Sequence, residues 1–363
     1  MIRLVGIEKT YRVRGGKRGE SVHALRGVDL DIPDGSAISI IGESGCGKST
    51  LGRIIAGIEQ PTSGTILCDG TDITKWNAGR RREFLRGIQM IHQDPYSALN
   101  PVRTIDEILM DVLRLHARES GKDSHWVDRH LPAILDLVGL DPGYVLPRYP
   151  HQLSGGMRQR IVIARALAVE PKVLVADEAV SMIDVSLRLG ILGLLRRLRN
   201  DLGISVVFIT HDLASARYIG DNSTVAVLYR GSVVEQGPSE SVISQAPEHP
   251  YTQALLSSIP LLRGLEHKAA EQVVPTGILE EGNDDAGCLF APRCPFATHE
   301  CRQRRPSLDR ISESGCATAP NPNTNLDPHP HTFRNAGTGG HRVACWHPTR
   351  RKVIPYRTDI TGR

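Results

Sequence analysis

Residues 42–50 read Gly-Glu-Ser-Gly-Cys-Gly-Lys-Ser-Thr, between an apolar run at 37–41 and a helix-like pattern from Leu51 to Ile58. The spacing is Gly, four residues, then Gly-Lys-Ser, and few folds accommodate it. Glycines let backbone N–H groups turn toward phosphate oxygens with no side chain in the way. The N-terminus of the helix that follows adds a favourable dipole. The stretch therefore demands a strand–loop–helix unit, and with it a parallel α/β sheet. Gly42, Ser44, Gly45, Gly47, Lys48, Ser49 and Thr50 are candidate ATP-binding residues. Cys46 falls among them and reads as a small loop residue. Lys48 is placed to reach the β- and γ-phosphates, and the Ser49 hydroxyl to bind Mg²⁺.

The rest of the first 240 residues fits that demand. Runs at 173–176 and 205–209 are apolar and often β-branched, as buried parallel strands require. Residues 104–118 and 125–138 carry helical spacing of Ile, Leu and Val. The stretch 95–160 lacks a strong strand run and is expected to be a helical insert. We expect an ATPase domain over 1–240 and a small, irregular extension over 241–363. Within the extension, a short helical pattern lies near 250–258. Residues 312–341, rich in Asn, Pro, Thr and Gly, read as a loop, and a basic tail runs from Arg350 to Arg363.

Composition narrows the classes. Forty-four Lys and Arg against 40 Asp and Glu give a net charge of +4, too mild to argue for nucleic acid. No apolar run approaches the ~18 residues of a membrane span. Met1–Thr10 lacks the apolar core of a signal peptide. The expected location is the cytoplasm, with any membrane contact peripheral.

Further polar residues fall at strand ends, where open α/β sheets bind ligands. Asp177 and Glu178 end the run at 173. Asp177 is placed to hold the Mg²⁺ shell, and Glu178 to orient or deprotonate a water aimed at the γ-phosphate. His211 follows the run at 205 and reads as a contact to that water or phosphate. Gln93 ends another apolar patch, and its amide can ligate Mg²⁺. A second glycine-bearing helix start, Leu153-Ser154-Gly155-Gly156, offers another anion cradle. One chain with two cradles implies a second nucleotide or a second subunit. A head-to-tail dimer is the simplest solution, each nucleotide held between one chain's loop 42–50 and the other's Ser-Gly-Gly.

Together these residues resemble the ATP-binding subunit of an ATP-binding cassette (ABC) transporter, over residues 1 to about 260. The resemblance implies that Ser154, Gly155, Gly156 and Gln159 form the signature motif contacting ATP in trans. It implies that Gln93 is the Q-loop, Ser181 to Asp184 the D-loop, and His211 the switch histidine. Tyr11 falls where the family stacks an aromatic ring on adenine, although a core tyrosine fits there too. Ala179 stands where Pro commonly follows the catalytic Glu, and Met182-Ile183-Asp184 replaces the frequent Ala-Leu-Asp. Neither change removes a chemical group.

Gln93-Asp94-Pro95-Tyr96-Ser97-Ala98-Leu99-Asn100-Pro101 and His249-Pro250-Tyr251-Thr252-Gln253 resemble the oligopeptide/dipeptide importer branch. That branch implies two ATPase subunits, usually different, two transmembrane permease subunits and an external solute-binding protein. Some members carry oligosaccharides or other solutes. The rival class is a soluble ABC-type ATPase acting on nucleic acid or ribosomes, whose strong basic patches and long coiled coils are not visible here.

Five of the seven cysteines lie after residue 285. Cys288, Cys294, Cys301 and Cys345 are similar to that branch's C-terminal cysteine motif, which implies a [4Fe–4S] cluster. Zinc and plain thiols remain open; His299, His341 and His347 are possible replacement ligands in a zinc site. Cys316 is taken as the spare.

Overall fold

The computed structural model describes residues 1–12, 21–219, 223–245, 247–257, 286–310 and 340–346. The chain begins with two long antiparallel strands, β1 (Ile2–Arg12) and β2 (Ser21–Ile32). β3 (Ala37–Ile41) leads through the glycine-rich loop into α1 (Lys48–Ile55). β4 (Ser63–Cys68) and β5 (Thr71–Asp72) complete a four-stranded sheet of order β2–β1–β4–β5. α2 (Ala78–Arg86) and β6 (Ile88–Ile91) follow.

Helices occupy the next stretch: α3 (Pro95–Ala98), α4 (Ile105–Glu119), α5 (Ser124–Leu137), α6 (Pro142–Val145) and α7 (Gly155–Leu167). The two helices anticipated from periodicity appear within a residue of their expected limits. Thr104 starts α4 with a capping box, its hydroxyl accepting from the Glu107 N–H while the Glu107 carboxylate accepts from the Thr104 N–H. Thr104→Ala is expected to lower unfolding free energy by about 1 kcal/mol in denaturant titration.

The chain then returns to the sheet as β7 (Val173–Asp177), α8 (Val185–Leu202), β8 (Ser205–Thr210), α9 (Leu213–Ile219), β9 (Thr224–Tyr229) and β10 (Ser232–Pro238). After α10 (Pro250–Ser257) come two short strands, β11 (Asp309–Arg310) and β12 (Arg342–Val343). The second sheet runs β11–β12–β10–β9–β3–β8–β7–β6. Its β9–β3–β8–β7–β6 portion is parallel. The sheet does not stop at residue 240: β12 pairs with β10, Glu235 opposite Val343.

Both faces of the central strands are buried, which explains their unbroken apolar runs. Period-two alternation divides them between two cores. Leu174 and Ala176 of β7, with Val206 and Phe208 of β8, face α4, α5, α7 and α8. Val173, Val175, Val207 and Ile209 face α1 and the antiparallel sheet. The site residues extend from the carboxyl ends of strands fixed by these two cores.

Candidate nucleotide site

Gly47 caps α1 with φ +106°, and a Cβ there would lie 2.4 Å from the Ala24 carbonyl oxygen. A Cβ on Gly42 would lie 2.2 Å from the Leu228 oxygen. Only glycine fits either position, so the loop is pinned against β2 and β9 while Ser44 and Gly45 stay exposed. Lys48 is 5% exposed and folds over the loop, donating to Gly42 O at 2.8 Å and Glu43 O at 2.7 Å. Thr50 is buried at the start of α1. Cys46 is buried too, which pushes its thiol pKa up and keeps it protonated.

The carboxyl ends of β6, β7 and β8 meet beside this loop. Ser49 Oγ donates to Asp177 Oδ1 at 3.0 Å. Burial raises the Asp177 pKa, against the Ser49 hydrogen bond that lowers it. A cation would offset that burial, since it stabilises the ionised carboxylate. Glu178 has a left-handed backbone, φ +48°, unusual for a side-chain-bearing residue. Its carboxylate accepts from Gln93 Nε2 at 3.0 Å and lies 3.2 Å from His211 Nδ1. The turn is closed by Ser181, whose N–H and hydroxyl both donate to Glu178 O. Asp184 caps α8 beyond it. The structure thus brings Ser49, Gln93, Asp177, Glu178 and His211 together.

The other predicted residues stand elsewhere. Ser154 caps α7, its hydroxyl accepting from the Met157 N–H, and is exposed beside Gly155. Gly156 lies under Leu187. Gln159 is fully buried and its amide has no partner among the described residues. The surface of this cradle is therefore Ser154 and Gly155, with Gln159 turned inward. Tyr11 sits on β1 and donates its hydroxyl to Glu59 at 2.7 Å, with Lys9 over its ring.

Cys288, Cys294, Cys301 and Cys345 line one cavity of about 20 Å³, together with His249 and Trp346. None of the four is in a disulfide among the described residues. Burial raises the pKa of Cys288, and that of Cys294 to about 11. His249 is fully buried, and its Nδ1 accepts from the Tyr251 N–H at 3.1 Å. Burial lowers its pKa to about 4, so the ring is neutral and Nε2 carries the proton. That Nε2 has no partner among the described residues. Four soft sulfur donors and one orphaned N–H around a shared cavity fit a thiolate-ligated metal group. Among the described residues, no three His, Cys, Asp or Glu side chains are grouped to hold a single metal ion. A lone zinc would draw its sulfurs to within about 4 Å of one another. His341 pairs with Glu235 at 2.7 Å and His299 with Gln303, so neither replaces a cysteine here. Cys316, His347 and the tail from Arg350 lie outside the described residues, as does nearly all of 312–341.

The model of the ABC transporter family matches residues 25–181, and that of the oligopeptide/dipeptide transporter C-terminal region matches 234–301. The dipeptide transport ATP-binding protein DppF of Haemophilus influenzae is 39% identical over 316 residues, covering 86% of this chain and 94% of its own. The chain belongs to the ABC transporter family. The oligopeptide transport ATP-binding protein OppF of Salmonella typhimurium is also 39% identical, covering 85% of this chain and 92% of its own. A solved dimeric ATP-binding cassette in a post-hydrolysis state, bound to ADP and phosphate, matches at 29% identity with a TM-score of 0.58. It covers 66% of this chain and 100% of its own. The fold is that of the ABC ATPases, and this chain is an ATPase subunit of that kind. No helix among the described residues is long and apolar enough to cross a membrane. Sequence reasoning missed three residues at the phosphate loop. Glu43, Tyr251 and Arg293 were given no role, because their contacts join segments about 200 or more residues apart.

Proposed function

We propose that the chain is the ATP-hydrolysing motor of an importer for dipeptides or oligopeptides, working peripherally on the cytoplasmic side of the membrane. The observation that carries this is the convergence of Ser49, Asp177, Gln93, Glu178 and His211 at three strand ends beside Lys48. The peptide cargo rests on the named relatives, two of which are transport ATP-binding proteins for dipeptides and oligopeptides.

In this reading the loop amides and Lys48 hold the phosphates, and Tyr11 stacks on adenine. Ser49, Asp177 and Gln93 would hold Mg²⁺, which would supply neutralising charge for the β- and γ-phosphates. Glu178 takes the proton of the attacking water, and His211 orients the carboxylate and the γ-phosphate. The exposed Ser154 and the half-buried Gly155 complete the site of a second ATPase subunit, head to tail, with Ser181 and Asp184 at the seam. ATP closes the pair, and closure drives two permease subunits to their other conformation; hydrolysis reopens it. The ATPase domain spans 1–240, its helical segment at about 94–150 docking the permeases, and an external binding protein delivers cargo.

Cys288, Cys294, Cys301 and Cys345 would hold a [4Fe–4S] cluster. When bound, it supplies thiolate bonds that tie residue 345 to the 288–301 segment. Anaerobically purified chain should contain iron and acid-labile sulfide and absorb broadly in the visible, and Cys301→Ser should lose both. Zinc at one equivalent, with no iron, rules the cluster out.

The test of function is affinity capture of the detergent-solubilised complex, with mass spectrometry of its members. Two permeases and a binding protein that takes up labelled peptides establish the reading. A binding protein selective for oligosaccharides moves the cargo, and recovery of ribosomal or nucleic-acid proteins alone overturns the importer.

A further inference from the structure

The cysteine segment reaches back and grips the phosphate loop. Arg293 ends a single 3₁₀ turn, Ala291–Arg293, and directly precedes Cys294. Its Nη1 and Nη2 donate to Glu43 Oε2 and Oε1, each at 3.0 Å, a bidentate pair across 250 positions of sequence. Glu43 is the residue after Gly42. Its N–H donates to the hydroxyl of Tyr251 at 2.9 Å, and Tyr251 is fully buried. Its carbonyl accepts from Lys48. All three polar groups of Glu43 are therefore engaged, two of them by residues beyond 240.

An aromatic cluster braces the grip. Tyr251, Tyr229 and Phe290 form one aromatic cluster, with ring centroids 4.5–5.5 Å apart. Phe290 lies between Cys288 and Arg293, and the Arg293 guanidinium stands over the Tyr229 and Phe290 rings. Tyr251 is two residues from His249, which lines the cysteine cavity. Phe290 belongs to both the cavity wall and the aromatic brace of the clamp. An exposed ion pair contributes little, but a bidentate guanidinium fork braced on aromatic rings fixes geometry as well as charge.

We infer that Arg293 is a positioning residue for nucleotide binding. Through Glu43 it holds the entry of the phosphate loop in its binding geometry, so the cysteine segment sets the affinity for ATP. The inference rests on the ATP-loop reading of residues 42–50. A clamp that only fastens the extension to the body predicts lower stability with unchanged nucleotide affinity.

The experiment titrates the full-length chain with a fluorescent ATP analogue and Mg²⁺, and measures kcat and KM for ATP in the captured complex. Arg293→Ala is expected to weaken binding about tenfold and raise KM by a similar factor, with kcat within about twofold. Glu43→Gln should do the same, and the double variant should be no weaker than either single one. Arg293→Lys should restore part of the affinity, because it returns the charge without the fork. Tyr251→Phe keeps the aromatic packing and removes the acceptor of the Glu43 N–H; it should weaken binding a few-fold even where Arg293→Ala fails to fold. Folded Arg293→Ala and Tyr251→Phe proteins with wild-type affinity overturn the inference. So does additivity of the Arg293 and Glu43 effects. Failure of the wild-type chain to bind the nucleotide overturns the ATP-loop reading instead.

Discussion

Glu178→Gln is expected to lower ATP turnover by about 10²–10⁴-fold while leaving nucleotide binding intact. The substitution keeps the size of the side chain and removes its charge and basicity. An amide still accepts from Gln93 or His211, so the turn at the end of β7 survives. The Glu178 N–H also donates to Ile209 O, which holds the backbone independently of the side chain. Without hydrolysis to reopen the pair, the variant should accumulate as an ATP-bound dimer. Phosphate release and size-exclusion chromatography with Mg-ATP measure the two effects. Unchanged hydrolysis removes Glu178 from its role as base.

Lys48→Ala should lose about 10²-fold or more in ATP affinity. Hydrogen bonds to charged groups contribute about 1.5–3 kcal/mol each, and Lys48 is placed to make more than one to the β- and γ-phosphates. Part of that gain is offset, because the ammonium already donates to Gly42 O and Glu43 O. Phosphate oxygens must compete with these carbonyls, which keeps the loss near the lower end of the range. Equilibrium titration with a labelled nucleotide reads the affinity, and a thermal melt confirms folding. A variant binding within threefold of wild type would show that the loop amides hold the phosphates alone.

The legible parts of the chain were those in which chemistry and position are written in neighbouring residues. Residues 42–50 dictate their own loop, and Asp177 and Glu178 follow at once from a strand buried on both faces. β1 and β2 escaped notice for a physical reason. Their pairing slips between Leu4 and Ile7 and again between Ile7 and Lys9, with Gly6 at φ +58°. Each slip shifts the side-chain phase, so no simple alternation survives in the sequence. The sheet's continuation past residue 240 was hidden because two-residue strands such as β11 and β12 have no measurable period. The family resemblance singled out the four cysteines that line one cavity, yet gave no hint of the His249 N–H beside them. Nor could local pattern pair Arg293 with Glu43, since a salt bridge leaves no mark on spacing.

The pairing of β12 with β10 also bears on how short the cassette can be made. Glu235 is fully buried on β10, where its carboxylate accepts from the N–H groups of Glu248 and His249 and pairs with His341. A chain ended after β10 would strip those donors from a buried anion. It would also lose β11 and β12 and bare β10 at the rim of the six strands that remain, a ready template for other chains. Such a truncation should self-associate through that rim, so the extension acts as a built-in guard against aggregation as much as an appendage to a motor.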